Sequence, residues 1–171
     1  VYCGYYDIAK LLIQRKMAIN VKDNLGRYLL HIAVMKGYID IITLLLKNGA
    51  KTNYKDKKGY PALFYAIVAK DLVIAELLID HGADIKFKDN SGQTYLHIAV
   101  KLGLSSVVRY LIKHGINLDH KDKFGRTALH YACEFNQISC LNILLNEGSN
   151  PTLSDSINQT PLIILANSDN K

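Results

Sequence analysis

Residues 120–130 read HKDKFGRTALH. Lysine, aspartate, glycine, threonine and histidine in so short a stretch are compatible with a catalytic site or with one unit of a repeating scaffold. The aspartate decides between them, because it belongs to a row with a constant spacing of 33 residues: Asp23, Asp56, Asp89, Asp122 and Asp155. A glycine stands three residues after each of the first four aspartates, and Asn158 stands after the fifth. Since glycine and asparagine tolerate a positive φ, we expect a tight turn at each aspartate.

A second row of glycines indicates where a helix ends in each unit: Gly49, Gly82, Gly115 and Gly148. Each of them follows an apolar pair, as Leu45 and Leu46 precede Gly49. An apolar stripe that stops at a glycine is typical of a helix with a C-terminal glycine cap. One unit therefore contains a turn, a short helix, a second helix and a loop that leads to the next turn.

A recurring motif marks the start of the first helix in each unit. It reads TYLHIA from Thr94, TALHYA from Thr127 and TPLIIL from Thr160, with weaker copies YLLHIA from Tyr28 and PALFYA from Pro61. Together with the 33-residue period, this motif resembles the ankyrin repeat, whose signature contains T-P-L-H-x-A. The resemblance implies an all-α fold, an ankyrin repeat solenoid of stacked helix-turn-helix units with β-turn fingers.

The period divides the chain into repeats of one ankyrin domain, residues 1–171. We expect a partial repeat at 1–22, complete repeats at 23–55, 56–88, 89–121 and 122–154, and a partial repeat at 155–171. In this register Gly4 corresponds to Gly37, at the end of a first helix. Because arrays need polar terminal repeats, we also expect the chain to be a fragment or domain of a larger protein.

The recurring residues have structural explanations. The aspartates can accept hydrogen bonds from the backbone of their own turns, and the threonines can cap the first helix. Small side chains let neighbouring helices approach closely, which predicts burial of the row Ala33, Ala66, Ala99 and Ala132. A histidine recurs at one repeat position, as His31, His97 and His130. The resemblance implies that this histidine bonds within its repeat and towards the next; Phe64 and Ile163 replace it in two repeats.

Other single residues also fit a scaffold better than a reactive site. His81 and His114 precede helix-ending glycines, where they favour the helix C-terminus. Lys70 and Asn136 stand where Gly37 ends the first helix of another repeat, so lysine there should cost about 1 kcal/mol. The cysteines, Cys3, Cys133 and Cys140, form no CxxC pair and predict buried thiols rather than a zinc site or a disulfide framework.

Composition and the absence of motifs narrow the function classes. The 171-residue chain has a formal charge of +6, and lysine outnumbers arginine 17 to 4, which disfavours arginine-centred recognition of nucleic acid. The sequence has no GxGxxG, Walker, GxSxG or HExxH motif, so we predict no enzyme activity, no catalytic residue, no cofactor and no metal. No run of 18 apolar residues and no secretory signal are present, so we expect no membrane insertion and a cytoplasmic or nuclear location.

The resemblance implies a function and a surface. In this family, partners lie on the concave side formed by the turn tips and the ends of the first helices. Carried over by register, this surface has ten candidate partner-binding residues: Lys57, Lys58, Tyr60, Val68, Lys101, Leu102, Lys123, Phe124, Arg126 and Phe135. We therefore predict a protein-interaction module that binds another protein or a peptide. The alternative is a substrate-recruiting or regulatory domain of a larger enzyme, such as a membrane palmitoyltransferase or a kinase.

A lysine precedes each of the first four aspartates: Lys22, Lys55, Lys88 and Lys121. One interpretation is a solvated ladder of alternating charge that keeps the chain soluble. The other adds Lys57, Lys58, Lys123 and Arg126 to form a basic ridge that binds an acidic segment.

Overall fold

The structure is a computed structural model and describes residues 3–168. Within that range it contains ten α-helices: α1 (Cys3–Gln14), α2 (Leu29–Lys36), α3 (Ile39–Lys47), α4 (Ala62–Val68), α5 (Leu72–Asp80), α6 (Tyr95–Lys101), α7 (Ser105–Lys113), α8 (Ala128–Glu134), α9 (Ile138–Asn146) and α10 (Pro161–Ser168). The described residues form only isolated β-bridges beside these helices, one of them between Lys88 and Thr94. The predicted all-α repeat fold is confirmed.

The chain divides into two compact units, Val1–Asp84 and Ile85–Lys171. In the first unit α2 packs on α3 and α4, α4 packs on α5, and α1 packs on α3. In the second unit α8 packs on α6, α9 and α10, while α7 packs on α6 and α9. The predicted repeat boundaries stay a prediction, and the division after Asp84 falls within the predicted repeat 56–88.

The alanine row permits this close helix packing. Ala33, Ala66, Ala99 and Ala132 are all buried. Leucine, isoleucine and valine side chains from both helices of each repeat complete the core, for example Leu63 and Leu78 in the first unit and Leu96 and Leu111 in the second. The apolar stripes that the sequence predicted are therefore buried.

The five aspartates hold the turns as predicted. At the fourth turn, Oδ1 of Asp122 accepts from the backbone N–H groups of Phe124 (2.8 Å) and Arg126 (2.9 Å), and the same pair of bonds forms at the other four. Consecutive turns also bond to each other within a unit. The N–H of Ser156 donates to the carbonyl of Phe124 at 2.9 Å. These bonds build the β-turn fingers.

Positive φ angles recur at the repeat positions where the sequence predicts them, including positions at which the residue is not glycine. Lys70 has φ 61° and Asn136 has φ 50°, at the positions where Gly37 and Gly103 end their helices. Asn158 has φ 60° in the fifth turn. Lys16, which the predicted register of the N-terminal partial repeat aligns with Gly49, also has a positive φ of 60°.

One detail of that register was wrong. Gly4 was aligned with Gly37 at the end of a helix, but it lies inside α1, which runs from Cys3 to Gln14. A glycine inside a helix costs only about 1 kcal/mol relative to alanine, so the helix-forming residues that follow can extend the helix through it.

The histidine row links successive repeats within each unit. Nδ1 of His97 accepts from the backbone N–H of Thr94 at 3.2 Å, and Thr94 and His97 form a capping box at the start of α6. Nε2 of His97 lies 3.1 Å from the carbonyl of Arg126. Since an N–H can only donate and a carbonyl can only accept, the ring must be the neutral tautomer with its proton on Nε2. His31 and His130 make the equivalent bonds to the carbonyls of Tyr60 and Gln159.

A second set of hydrogen bonds links successive repeats and was not predicted from the sequence. Side-chain oxygens of Asn20, Asn53 and Asp119 accept from backbone N–H groups 31 residues later, at 3.0, 2.8 and 2.9 Å. The three residues stand 33 and 66 residues apart, so the same period contained this signal.

Candidate protein-interaction surface

The ten predicted partner-binding residues divide between the two units. Lys57, Lys58, Tyr60 and Val68 belong to the first unit, and Lys101, Leu102, Lys123, Phe124, Arg126 and Phe135 belong to the second. Their role in binding stays a prediction.

In the first unit, aromatic rings lie beside the second turn. The ring of Tyr60 stacks on Phe64 with centroids 3.8 Å apart, and Tyr65 meets both rings edge-on. Val68, at the end of α4, is 45% exposed. Lys57 and Lys58 at the turn tip are exposed. This unit therefore presents an exposed valine and two exposed cationic side chains in addition to the stacked rings.

In the second unit, five residues form a continuous arrangement that we call the cation–aromatic row: Lys101, Phe135, Tyr131, Arg126 and Phe124. The Nζ atom of Lys101 lies 5.2 Å from the centroid of Phe135, whose ring stacks on Tyr131 at 6.1 Å. The guanidinium carbon of Arg126 lies 4.5 Å from the ring centroid of Tyr131 and 5.2 Å from that of Phe124. Phe124 is 55% exposed and Phe135 is 38% exposed. Four of the ten predicted residues therefore join one surface row.

Hydrogen bonds hold the centre of this row. The Tyr131 hydroxyl donates to Oδ2 of Asp122 at 2.8 Å, and Nη2 of Arg126 donates to that hydroxyl at 2.6 Å. Burial raises the pKa of Tyr131 well above its ordinary value, and the hydrogen bond to the carboxylate of Asp122 raises it further. The hydroxyl therefore remains protonated and keeps the ring in place.

The charge of Arg126 is balanced within the unit. Its guanidinium contacts the carboxylates of Asp122 and Glu134, each at 3.2 Å. Burial works to raise the pKa of Asp122, but the backbone N–H of Arg126, the hydroxyl of Tyr131 and the guanidinium together hold it below its usual value. Arg126 therefore orients Phe124 and Tyr131 and has little free charge for the basic ridge that was one interpretation of the sequence.

A pocket of about 400 Å³ opens beside the row. Its lining residues are Phe124, Arg126, Glu134, Asp155, Ser156, Ile157, Gln159 and Ile164. They come from the fourth and fifth turns and from the helices that follow them. The pocket thus adds a concave, partly charged site to the exposed aromatic edge.

Comparison with known protein families agrees with the 33-residue repeat found in the sequence. The family model described as ankyrin repeats (3 copies) matches residues 1–89 and 74–155. The chain belongs to the ankyrin repeat family. No curated protein matches it. Ankyrin repeats are generally protein-interaction modules and are typically non-catalytic.

Two tyrosines of this ankyrin chain were missed as parts of the surface. Tyr65 and Tyr131 stand nine residues after Asp56 and Asp122, and each hydroxyl donates to Oδ2 of that aspartate. Their separation of 66 residues, two repeat lengths, was the available signal. The exposed rings near these tyrosines were predicted from the sequence, whereas the hydroxyl groups that bond to the turn aspartates were not.

The lysine row has at least one structural contact. Nζ of Lys121 donates to the carbonyl of Ser154 at 2.7 Å, one repeat further along the chain. Lys22, Lys55 and Lys88 are exposed. Leu102, at the end of α6, is half-buried.

Other potential site residues lie in ordinary surroundings. Cys133 and Cys140 are buried, and burial raises the pKa of each thiol, while the side chain of Cys3 lies outside the described residues. His81 and His114 hydrogen-bond the carbonyls of Leu77 and Tyr110, as expected of residues at helix C-termini. Among residues 3–168 there is no group of three or more His, Cys, Asp or Glu side chains suited to a metal ion. In the same part of the chain, no helix is long and apolar enough to cross a membrane.

Proposed function

We propose that this ankyrin repeat chain is a non-catalytic protein-interaction module that binds a segment of another protein through its turn tips and first-helix ends. The observation that carries the proposal is the cation–aromatic row, where two large exposed rings contact the hydrogen-bonded side chains of Arg126 and Tyr131, and one of the rings, Phe124, lines a pocket. Aromatic anchors that are ordered before binding lose little conformational freedom, so they contribute strongly to affinity.

Residues of the first unit supply a second part of the binding surface in this proposal. Tyr60 is held by stacking on Phe64 and by the bond from His31 to its carbonyl. Val68 and the neighbouring aromatic rings suit an apolar side chain of the partner. Lys57 and Lys58 suit an acidic one, which predicts that part of the affinity falls as salt is added.

Affinity capture with a matched control tests the proposal. The bait is the full chain, compared with a triple variant Tyr60→Ala, Phe124→Ala and Phe135→Ala. Val73 and Ile138 lie on second helices and are 57% and 62% exposed, so a Val73→Ala, Ile138→Ala variant removes exposed apolar groups away from the proposed surface. Circular dichroism and thermal melts confirm that both variants fold.

We expect a purified candidate partner to bind the parent and the control with equal affinity and to bind the triple variant at least tenfold more weakly, since loss of an anchor typically costs over 1 kcal/mol. Equal binding by all three proteins would place the interaction elsewhere.

The cytoplasm or the nucleus stays the compartment that the sequence favours.

A further inference from the structure

We propose that the pocket beside the fifth turn binds an arginine side chain of the partner, with Asp155 and Glu134 as the carboxylates and Phe124 as the stacking face. This inference rests on the proposed function and specifies the chemistry of one contact. It differs from the basic-ridge interpretation, which called for an acidic partner.

Each turn aspartate has a second carboxylate oxygen, Oδ2, that the turn itself does not use. Oδ1 holds the turn at all five positions, so Oδ2 is available for another donor. At the first turn, Arg27 donates to Oδ2 of Asp23 at 2.7 Å. At the second turn, Tyr65 donates to Oδ2 of Asp56. At the fourth turn, Asp122 receives both kinds of donor, Arg126 and Tyr131.

The fifth turn has lost both donors. The residue four positions after Asp155 is Gln159, where Asp122 has Arg126, and the residue nine positions after it is Ile164, where Asp122 has Tyr131. Oδ1 of Asp155 still accepts from the N–H groups of Ile157 (3.0 Å) and Gln159 (2.8 Å). Oδ2 of Asp155 receives no hydrogen bond from any residue between 3 and 168, and Asp155 lines the pocket.

The pocket contains what an added guanidinium needs. Its charged lining residues are two carboxylates, Glu134 and Asp155, and one guanidinium, Arg126, which also pairs with the buried carboxylate of Asp122. The lining therefore carries one net negative charge, while the ammonium group of Lys121 lies outside the lining, bonded to the carbonyl of Ser154. Phe124 provides an exposed ring on which a planar cation can stack.

Arginine fits this chemistry better than lysine. A planar guanidinium can donate to two carboxylates while it lies on an aromatic face, whereas an ammonium group is a compact, strongly hydrated charge. The fourth turn shows the same combination inside the protein, because Arg126 contacts Asp122, Glu134 and the ring of Phe124. The partner's arginine would supply to Asp155 the donor that Arg126 supplies to Asp122.

The third turn provides a matched control. Asp89 has also lost both donors, since Gln93 and Ile98 stand four and nine residues after it. Its Oδ1 additionally accepts from the hydroxyl of Ser91 at 2.7 Å. Asp89 is not among the residues that line the pocket. An Asp89→Asn variant therefore makes the same chemical change at a turn aspartate that contributes nothing to the pocket.

The experiment is a titration of the ¹⁵N-labelled chain with N-acetylarginine amide, followed by NMR. N-acetylcitrulline amide, a neutral molecule of nearly the same shape, and N-acetylglutamate amide are titrated in parallel. We expect the arginine probe alone to shift the amide signals of Phe124, Ser156 and Ile157. Asp155→Asn and Glu134→Gln should each weaken this binding by about two- to fivefold, the effect of losing one partly exposed ion pair, and Asp89→Asn should not.

Asparagine can still accept the two backbone hydrogen bonds of the turn through its amide oxygen, so Asp155→Asn retains the turn. Glu134→Gln changes the other carboxylate of the pocket and leaves the turn at Asp155 unaltered. The inference is overturned if the arginine probe causes no shift at these amides, if citrulline or glutamate causes an equal shift, or if both pocket variants bind like the parent. The probe requires no partner protein. If the arginine probe does not bind but the partner still distinguishes the parent from the triple variant, only the arginine site is rejected. If the probe binds but the partner binds the parent and the triple variant equally, the interaction surface proposed above is rejected.

Discussion

Nε2 of His97 donates a hydrogen bond to the backbone carbonyl of Arg126, 29 residues further along the chain, and so links two repeats of the second unit. The bond requires a neutral ring, because Nδ1 already accepts from the N–H of Thr94. Burial lowers the pKa of His97 to about 4, and it also lowers the pKa of His31 and of His130. Protonation of these rings therefore opposes folding.

The first prediction is a loss of stability in mild acid. The pKa of His97 is lower in the folded chain than its unfolded value of about 6.5, so the unfolded state binds more protons between pH 6.5 and about 4. The free energy of unfolding should fall through this window as the pH falls, with about 3 kcal/mol attributable to His97. Urea unfolding at several pH values measures the slope. A His97→Gln variant should be less stable at pH 7 and show a shallower slope, and an unchanged slope would contradict this account.

The second prediction concerns the hydroxyl at the centre of the cation–aromatic row. Tyr131→Phe removes a donor to the buried carboxylate of Asp122 and should lower the free energy of unfolding by about 1–3 kcal/mol. It should also raise the pKa of Asp122, since a hydrogen bond that favours the charged form is lost. Tyr54→Phe is the control, because Tyr54 is 41% exposed and its ring contact with Tyr28 is retained. Equal stability of both variants would show that the hydroxyl contributes nothing.

The third prediction is a stabilising substitution. Lys70 has φ 61°, which is unfavourable for a residue with a Cβ atom. Lys70→Gly should therefore raise the free energy of unfolding by about 0.5–1 kcal/mol. Lys36 is the last residue of α2, so Lys36→Gly should instead lower the free energy of unfolding by a similar amount. Thermal and urea unfolding compare the two; a destabilised Lys70→Gly would mean that its side chain makes compensating contacts.

The fourth prediction separates backbone strain from close packing. Gly115 and Gly125 have φ angles of 79° and 75°, but a Cβ atom on Gly115 would meet nothing within 4 Å, whereas one on Gly125 would lie 2.8 Å from the backbone nitrogen of Ser156. Gly115→Ala should cost about 1 kcal/mol through its φ alone. Gly125→Ala should cost clearly more, about 2–4 kcal/mol, because the fourth and fifth turns must move apart. Equal costs measured by urea unfolding would show that the turns separate easily.

Sequence reasoning identified the repeat because each unit contains its own local signals. Turn aspartates, glycines in positive φ and alanines on the first helix recur with one period, and each depends on neighbours within a few residues. The same reasoning anticipated the structural histidines and the left-handed Lys70. It misjudged Gly4, because one residue in register does not outweigh the tendency of a long apolar segment to continue as a helix.

The character of the surface depended on contacts between residues distant in sequence. One interpretation of the sequence included Arg126 in a basic ridge, but its charge is balanced by Asp122 and by Glu134, which belongs to the following helix. Tyr131 and Asp122 are nine residues apart, and the side chain of Asp155 can be judged only once Phe124 and Glu134 stand beside it in the pocket. The repeat follows from local backbone preferences and a spaced apolar pattern, which the amino-acid order carries directly. Which charges are satisfied and which remain for a partner is decided by side-chain geometry across neighbouring repeats, because Coulomb and hydrogen-bond energies change over distances of an ångström.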